Sequence, residues 1–297
     1  MKKRFTFILS MLLASTTFVA AQENEEDEEG WKISGENTFL LNQSSFTNWA
    51  SGGENTFAGN LIFNYDFNYK KDKWSWDNKV LASYGQTFQK ETDWRKNDDR
   101  LELNSLAGYQ ASEYWLYTFF MNFKTQFAKG YDYISNTEKR TISDFIAPAY
   151  LSFGPGFAYK KDDNFKVNIS PAASRFVFVT IDSLAPAYSI DEGKNSRFEF
   201  GASLDAYYKT DIMENVSFEN TLRLYSNYLD NPKNVDVDYT ANIFMTVNEY
   251  ITVNAGVQLI YDDNILINKI VDGVDTGHKR PTLQVKQILG AGFTYKF

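Results

Sequence analysis

Over long segments this chain alternates strictly between apolar and polar residues, and few folds accept that pattern. In residues 54–70 the odd positions Phe57, Leu61, Phe63, Tyr65, Phe67 and Tyr69 are apolar, while Thr56, Asn60, Asn64, Asp66, Asn68 and Lys70 at even positions are polar. A period of two sends successive side chains to opposite faces of a strand, so the segment is a strand with one greasy and one wet face. The pattern recurs in 114–128, where Trp115, Tyr117, Phe119, Met121, Phe123 and Phe127 oppose Thr118, Asn122, Lys124 and Gln126. It recurs again in 195–210, where Phe198, Phe200, Ala202, Leu204, Ala206 and Tyr208 oppose Arg197, Glu199, Ser203, Asp205 and Lys209. The same test along the chain predicts strands near 32–43, 54–70, 73–88, 94–110, 114–128, 144–160, 164–180, 195–210, 215–228, 234–248, 250–262 and 281–297.

Composition decides which β architecture this is. Aromatic residues make up 17% of the chain, yet its overall hydropathy is low and no apolar run beyond the N-terminal one is long enough for a membrane helix. A transmembrane barrel reconciles the two, because every second residue faces lipid and the others face a polar interior. The expected fold is therefore all-β: an antiparallel up-and-down transmembrane β-barrel of about twelve strands with both termini periplasmic. Connection lengths agree. If the first strand runs outward, the periplasmic turns are Lys71-Asp72-Lys73, Ala111-Ser112-Glu113, 161–164, 211–215 and Glu249, all short, and most of the opposite connections are long. Trp74, Trp76, Tyr109, Trp115, Tyr117, Phe157, Tyr159, Phe165, Tyr208, Tyr250, Tyr295 and Phe297 fall at the short-turn ends, where an interfacial girdle belongs.

The N-terminus adds an address. Met1-Lys2-Lys3-Arg4, the apolar run 5–19 and Val19-Ala20-Ala21 have the layout of a secretory signal peptide spanning 1–21. Removing its three basic residues from 30 leaves 27 against 38 acidic ones, a mature net charge of −11. This acidity argues against nucleic acid as a partner. Residues 22–30 read as a disordered acidic periplasmic tail, with cation or partner binding as the functional alternative; residues 31–297 form the barrel. The terminal alternation of Leu289, Ala291, Phe293, Tyr295 and Phe297 resembles the strand signal read by the barrel-assembly machinery. Expected partners are thus outer-membrane lipid, that machinery during biogenesis, and an outer-membrane or periplasmic protein. The expected location is the bacterial outer membrane. The competing fold is a soluble periplasmic β protein.

Chemistry has little to work with. The chain has no cysteine, so there is no thiol nucleophile, thiolate metal site or lipidated N-terminal cysteine. Its one histidine, His278, lies in the expected last outer loop, between Gly277 and Lys279, with no triad around it. No cofactor motif occurs, and no enzyme is expected. The expected lumen-lining residues are Asp66, Lys79, Arg100, Glu102, Lys124, Glu199, Asp205, Glu219, Arg223, Asp236 and Asp238, with Asp77, Arg197 and Lys286 also turned inward. Their mixed signs read as a bracing network of ion pairs, with paired-carboxylate acid and base chemistry as the alternative. A barrel of this size lies between filled small barrels and open porins, so the sequence leaves open a narrow solute channel and a closed accessory barrel. Lys96-Asn97-Asp98-Asp99-Arg100 and Tyr261-Asp262-Asp263-Asn264 carry oxygen ligands without the spacing of a calcium loop.

Several ordered motifs, Asn48-Trp49-Ala50-Ser51-Gly52-Gly53-Glu54-Asn55, Trp76-Asp77-Asn78, Asp98-Asp99-Arg100-Leu101-Glu102, Lys124-Thr125-Gln126-Phe127-Ala128-Lys129-Gly130-Tyr131, Ala147-Pro148-Ala149-Tyr150-Leu151 and Ser170-Pro171, resemble those of an uncharacterised family of the Bacteroidota, known only as a domain of unknown function. The resemblance covers nearly all the mature chain. It implies an exported outer-membrane barrel without an assigned activity.

Overall fold

The computed structural model describes residues 29–45, 55–89, 92–135, 138–271 and 274–297. The expected signal peptide, most of the acidic tail, the paired glycines of 52–53 and the side chain of His278 lie outside the described residues.

Sixteen strands are present among them: β1 (Gly30–Ser44), β2 (Thr56–Lys71), β3 (Trp74–Gln89), β4 (Asp93–Gln110), β5 (Trp115–Thr125), β6 (Gly130–Tyr133), β7 (Lys139–Ser143), β8 (Ala149–Asp162), β9 (Phe165–Phe178), β10 (Ser196–Met213), β11 (Val216–Asn227), β12 (Asp236–Thr246), β13 (Ile251–Tyr261), β14 (Leu266–Val271), β15 (Val274–Pro281) and β16 (Gln284–Lys296). Twelve of them close into one antiparallel barrel in the order β1-β16-β13-β12-β11-β10-β9-β8-β5-β4-β3-β2, as the alternation predicts. The other four form two hairpins, β6 with β7 and β14 with β15, inside the long connections.

Closure satisfies the backbone. Every polar group of a spanning strand needs a ladder partner, because hydrocarbon offers none. The last strand meets the first from Glu36↔Lys296 to Leu41↔Ala291, and Gly35 and Phe297 exchange N–H···O bonds of 3.0 Å. At this seam the strands come so close that a Cβ on Gly292 would overlap the Phe39 carbonyl oxygen. Buried hydroxyls reinforce it from within: Thr294 is 2.9 Å from Thr38 and 2.7 Å from Thr252.

The two ends differ. At one, strands are joined by residues 72–73, 111–114, 163–164, 214–215 and 247–250. At the other, the connections include 126–148, 179–195 and 262–283. Asp72 and Asn215 take positive φ of 50° and 62° in the tight turns, a conformation that short Asx side chains tolerate.

The outer wall is apolar. Trp74, Tyr117, Phe119, Phe157, Phe198, Leu289, Phe293 and Tyr295 all stand exposed. A soluble protein rarely shows so large a continuous apolar surface, whereas bilayer hydrocarbon matches it. Rings cluster at both rims. At the short-turn rim Trp31 contacts Tyr69 and Trp76, Trp74 contacts Tyr109, and Trp115, Tyr159, Phe165 and Tyr208 form a chain. At the loop rim Trp94 meets Phe57 and Phe88, and Phe176 meets Phe198. Two aromatic girdles around a polar interior define a transmembrane β-barrel.

Of several register shifts, the one on β9 reshapes the interior. Opposite β10, Gly201 pairs with Ala173 and Ser203 with Ser170, so Pro171 and Ala172 on β9 face a single residue. Proline has no N–H to give the ladder and is at home in such a bulge. The extra residue switches the inward set from Lys166, Asn168 and Ser170 to Ala173, Arg175 and Val177, of which all but Lys166 are buried.

Candidate functional site: the barrel interior

The interior is crossed by ion pairs. Arg223 on β11 places Nη2 2.5 Å from Oε1 of Glu102 on β4, and its Nε lies 3.2 Å from Asp205. Four strands separate β4 from β11 on one side of the barrel and six on the other, so this contact spans the lumen. Glu102 is fully buried. It also accepts from Arg100 Nε at 2.9 Å, Asn104 Nδ2 at 3.0 Å and Asn122 Nδ2 at 3.2 Å. Lys124 on β5 reaches Asp238 on β12 at 2.7 Å, and Gln258 donates to the same carboxylate at 2.8 Å. Lys286 on β16 pairs with Asp98 on β4. Carboxylates as buried as Glu102 and Asp98 hold their charge only when paired and hydrogen-bonded, which is the case here.

Toward the loop end lies a second cluster. Arg175 bonds Glu199 at 2.6 Å and also pairs with Asp236, and its guanidinium stacks 3.9 Å from the Tyr225 ring centroid. Arg197 Nη2 lies 2.8 Å from Glu199. Above it sits an apolar cap of Ala147, Val177, Val179, Leu184, Ala185 and Ile190, with Tyr150, Ile181 and Tyr188 packed on it. A short 3₁₀ turn, Ala185–Tyr188, carries the middle of the cap, and Ser189 ties it to the Asn264 carbonyl at 3.0 Å. Below the cap is a cavity of about 540 Å³ that extends to Asp163 in a short turn.

The eleven residues expected in the lumen distribute as follows. Asp66, Lys79, Arg100, Asp205, Glu219, Arg223 and Asp238 line the cavity. Glu102 and Lys124 belong to the belt that crosses it, and Glu199 and Asp236 to the cluster above. Sequence reasoning missed Arg175, because the Pro171 bulge moves it out of the simple period. It also missed Lys160, Lys166 and Asn168, which sit on inward positions near a turn, and Asp98, the partner of Lys286. The Pro171 bulge was the local signal for Arg175, and the alternation of Phe165, Val167 and Ile169 with Lys166 and Asn168 was the signal for those two.

Neither oxygen-rich segment stands free. Asp99 pairs with Lys96 at 2.8 Å and accepts the Phe127 and Ala128 N–H groups at 2.7 and 3.0 Å, bracing a loop. Asp262 and Asp263 lie with Asp236 inside a 4.8 Å group, the one set of three acidic side chains among the described residues close enough to share a cation. There Arg175 supplies the counter-charge of Asp236, and Asn234 donates to Asp263.

The class these features define is a transmembrane β-barrel with a polar, ion-paired interior. Residues 41–131 match a family described as a protein of unknown function, DUF3078. No curated protein matches the chain. Among solved structures, the COG4313 outer membrane channel from Pseudomonas putida F1 is similar over 94% of this chain and 100% of that one, at 9% identity and a TM-score of 0.38. The NanC porin is similar over 88% of this chain and 99% of its own, at 12% identity and a TM-score of 0.35. The translocator domain of the autotransporter NalP from Neisseria meningitidis covers 98% of this chain and 95% of its own, at 6% identity and a TM-score of 0.32. The fold assignment rests on the chain's own closed sheet and apolar wall.

Proposed function

We propose that this protein is an integral outer-membrane β-barrel that passes small polar solutes through a narrow interior, closed in this conformation by its cross-lumen ion pairs and loop-end cap. The observation that carries this reading is a polar cavity of about 540 Å³ inside a wall whose outer face is apolar. Gly30 and Lys296 both lie at the short-turn end, which supports a periplasmic placement of both termini. Export by the 1–21 signal and insertion by the barrel-assembly machinery complete the reading. Planar-bilayer recording tests it: small, brief conductance steps are expected. Correctly folded protein that gives no current above the bare bilayer removes it.

The loop-end cap favours a second reading, a closed accessory barrel that docks an outer-membrane or periplasmic protein. Affinity purification from native membranes that recovers the barrel alone counts against it.

A further inference from the structure

Near the short turns the cavity brings a set of basic donors beside a set of acidic acceptors. Lys160 on β8 and Lys166 on β9 place both ammonium groups on one oxygen, Asp77 Oδ2, at 3.3 and 3.2 Å. Lys160 has a second contact, 3.2 Å to Asp163, but that carboxylate is 87% exposed and screened by water. Among the described residues Lys166 forms no other ion pair within 4 Å, though Asp66 and Asp205 attract it from farther away. Two positions along the inward face of β9, Asn168 is 3% exposed. Its Oδ1 accepts from Thr118 Oγ1 at 2.6 Å, while its Nδ2 is buried without an acceptor. A buried amide donor left unpaired is costly, so this group is built to meet something.

In the same chamber the acidic groups are under-matched. Asp66 has one ion pair, with Lys79 at 3.8 Å, close to the limit, and Lys166 attracts it from farther away. Glu219 accepts the Tyr207 hydroxyl at 3.2 Å and has no cation partner among the described residues. Asn64, two positions from Asp66 on the same face of β2, has a buried Oδ1 that meets no donor.

We infer that this chamber binds small zwitterions, with the ligand carboxylate on Lys160, Lys166 and the Asn168 amide and the ligand ammonium on Asp66, Glu219 and the Asn64 carbonyl. The inference rests on the solute-passing reading and names its solute class. A simple anion would face Asp66 and Glu219, and a simple cation would face the two lysines, so each single charge meets repulsion that the zwitterion avoids.

Titration calorimetry of the full refolded chain in nonionic micelles tests this with L-alanine, N-acetyl-L-alanine and L-alaninamide. Saturable heat is expected with L-alanine, and binding about ten-fold or more weaker with either blocked analogue. Lys166→Met and Asp66→Asn should each weaken L-alanine binding by about ten-fold or more while folding is verified by heat-modifiable gel migration. Equal affinity for a blocked analogue overturns the proposal, as does folded protein that gives no saturable heat. The analogue arm uses unaltered protein, so it decides the matter even where a variant misfolds. A barrel that conducts but binds no zwitterion fails this inference alone.

Discussion

Arg223 and Glu102, from strands on opposite sides of the barrel, meet across the lumen with Nη2 2.5 Å from Oε1. The wall alone would enclose a passage, and this pair fills its middle. Glu102→Ala leaves the Arg100 and Arg223 guanidinium groups without their shared carboxylate. The expected loss is about 3–5 kcal/mol, read from denaturant unfolding in lipid vesicles. The same variant should conduct more than the parent in planar bilayers, because the cross-lumen pair is gone.

The outward face should behave as a lipid contact. Leu289 is 70% exposed and pairs with Ala255 near the middle of β13. Leu289→Arg should cost about 2–4 kcal/mol in bilayers, and Trp74→Arg at the rim about 0–1. Equal, negligible costs at both sites would point to a water-exposed wall.

Closure depends on one missing side chain. Gly292→Ala puts a Cβ against the Phe39 backbone, which cannot rotate away as a side chain can. A destabilisation of about 1–3 kcal/mol or more is expected, seen as loss of the fast-migrating folded band at lower temperature than in the parent.

The cap should detach without the barrel. Leu184 is one of its buried residues. Leu184→Asp places a charge among Val177, Val179 and Ile190, so limited chymotrypsin treatment should nick the 179–195 loop while the strands stay protected.

Alkali should act on the same cap. Burial, and then the Asp262 carboxylate, push the Tyr188 hydroxyl up to about 12. A raised folded value favours the protonated form, so its contribution to stability is complete below about pH 10 and is lost as pH rises through about 12. The ultraviolet difference titration between parent and Tyr188→Phe should show one phenol ionising near pH 12.

The strand plan was legible because period two is a local property. The segment expected at 54–70 is β2 at Thr56–Lys71, and each of the other expected strands has a barrel counterpart. Boundaries differ where tertiary partners take backbone groups from the ladder. The strand expected to reach 128 stops at Thr125, because Asp99 captures the N–H groups of Phe127 and Ala128. The strand expected from 144 begins at Ala149, since Asp144 and Ala147 bond each other in a tight turn. The hairpins β6–β7 and β14–β15 carry no such alternation, so nothing in the period announces them.

An antiparallel barrel of twelve strands, a greasy outer face, a charged inner face and a set of short turns at one end are all written in the amino-acid order. They follow from which way each side chain points along its own strand. Which charges meet depends on the assembled barrel. Arg223 finds Glu102, Lys124 finds Asp238 and Lys286 finds Asp98 because shear and closure bring distant strands to the same height. The Pro171 bulge turns Arg175 inward, and the loops fold an apolar cap over the polar interior. These contacts join positions far apart in the chain, where alternation carries no information about the partner.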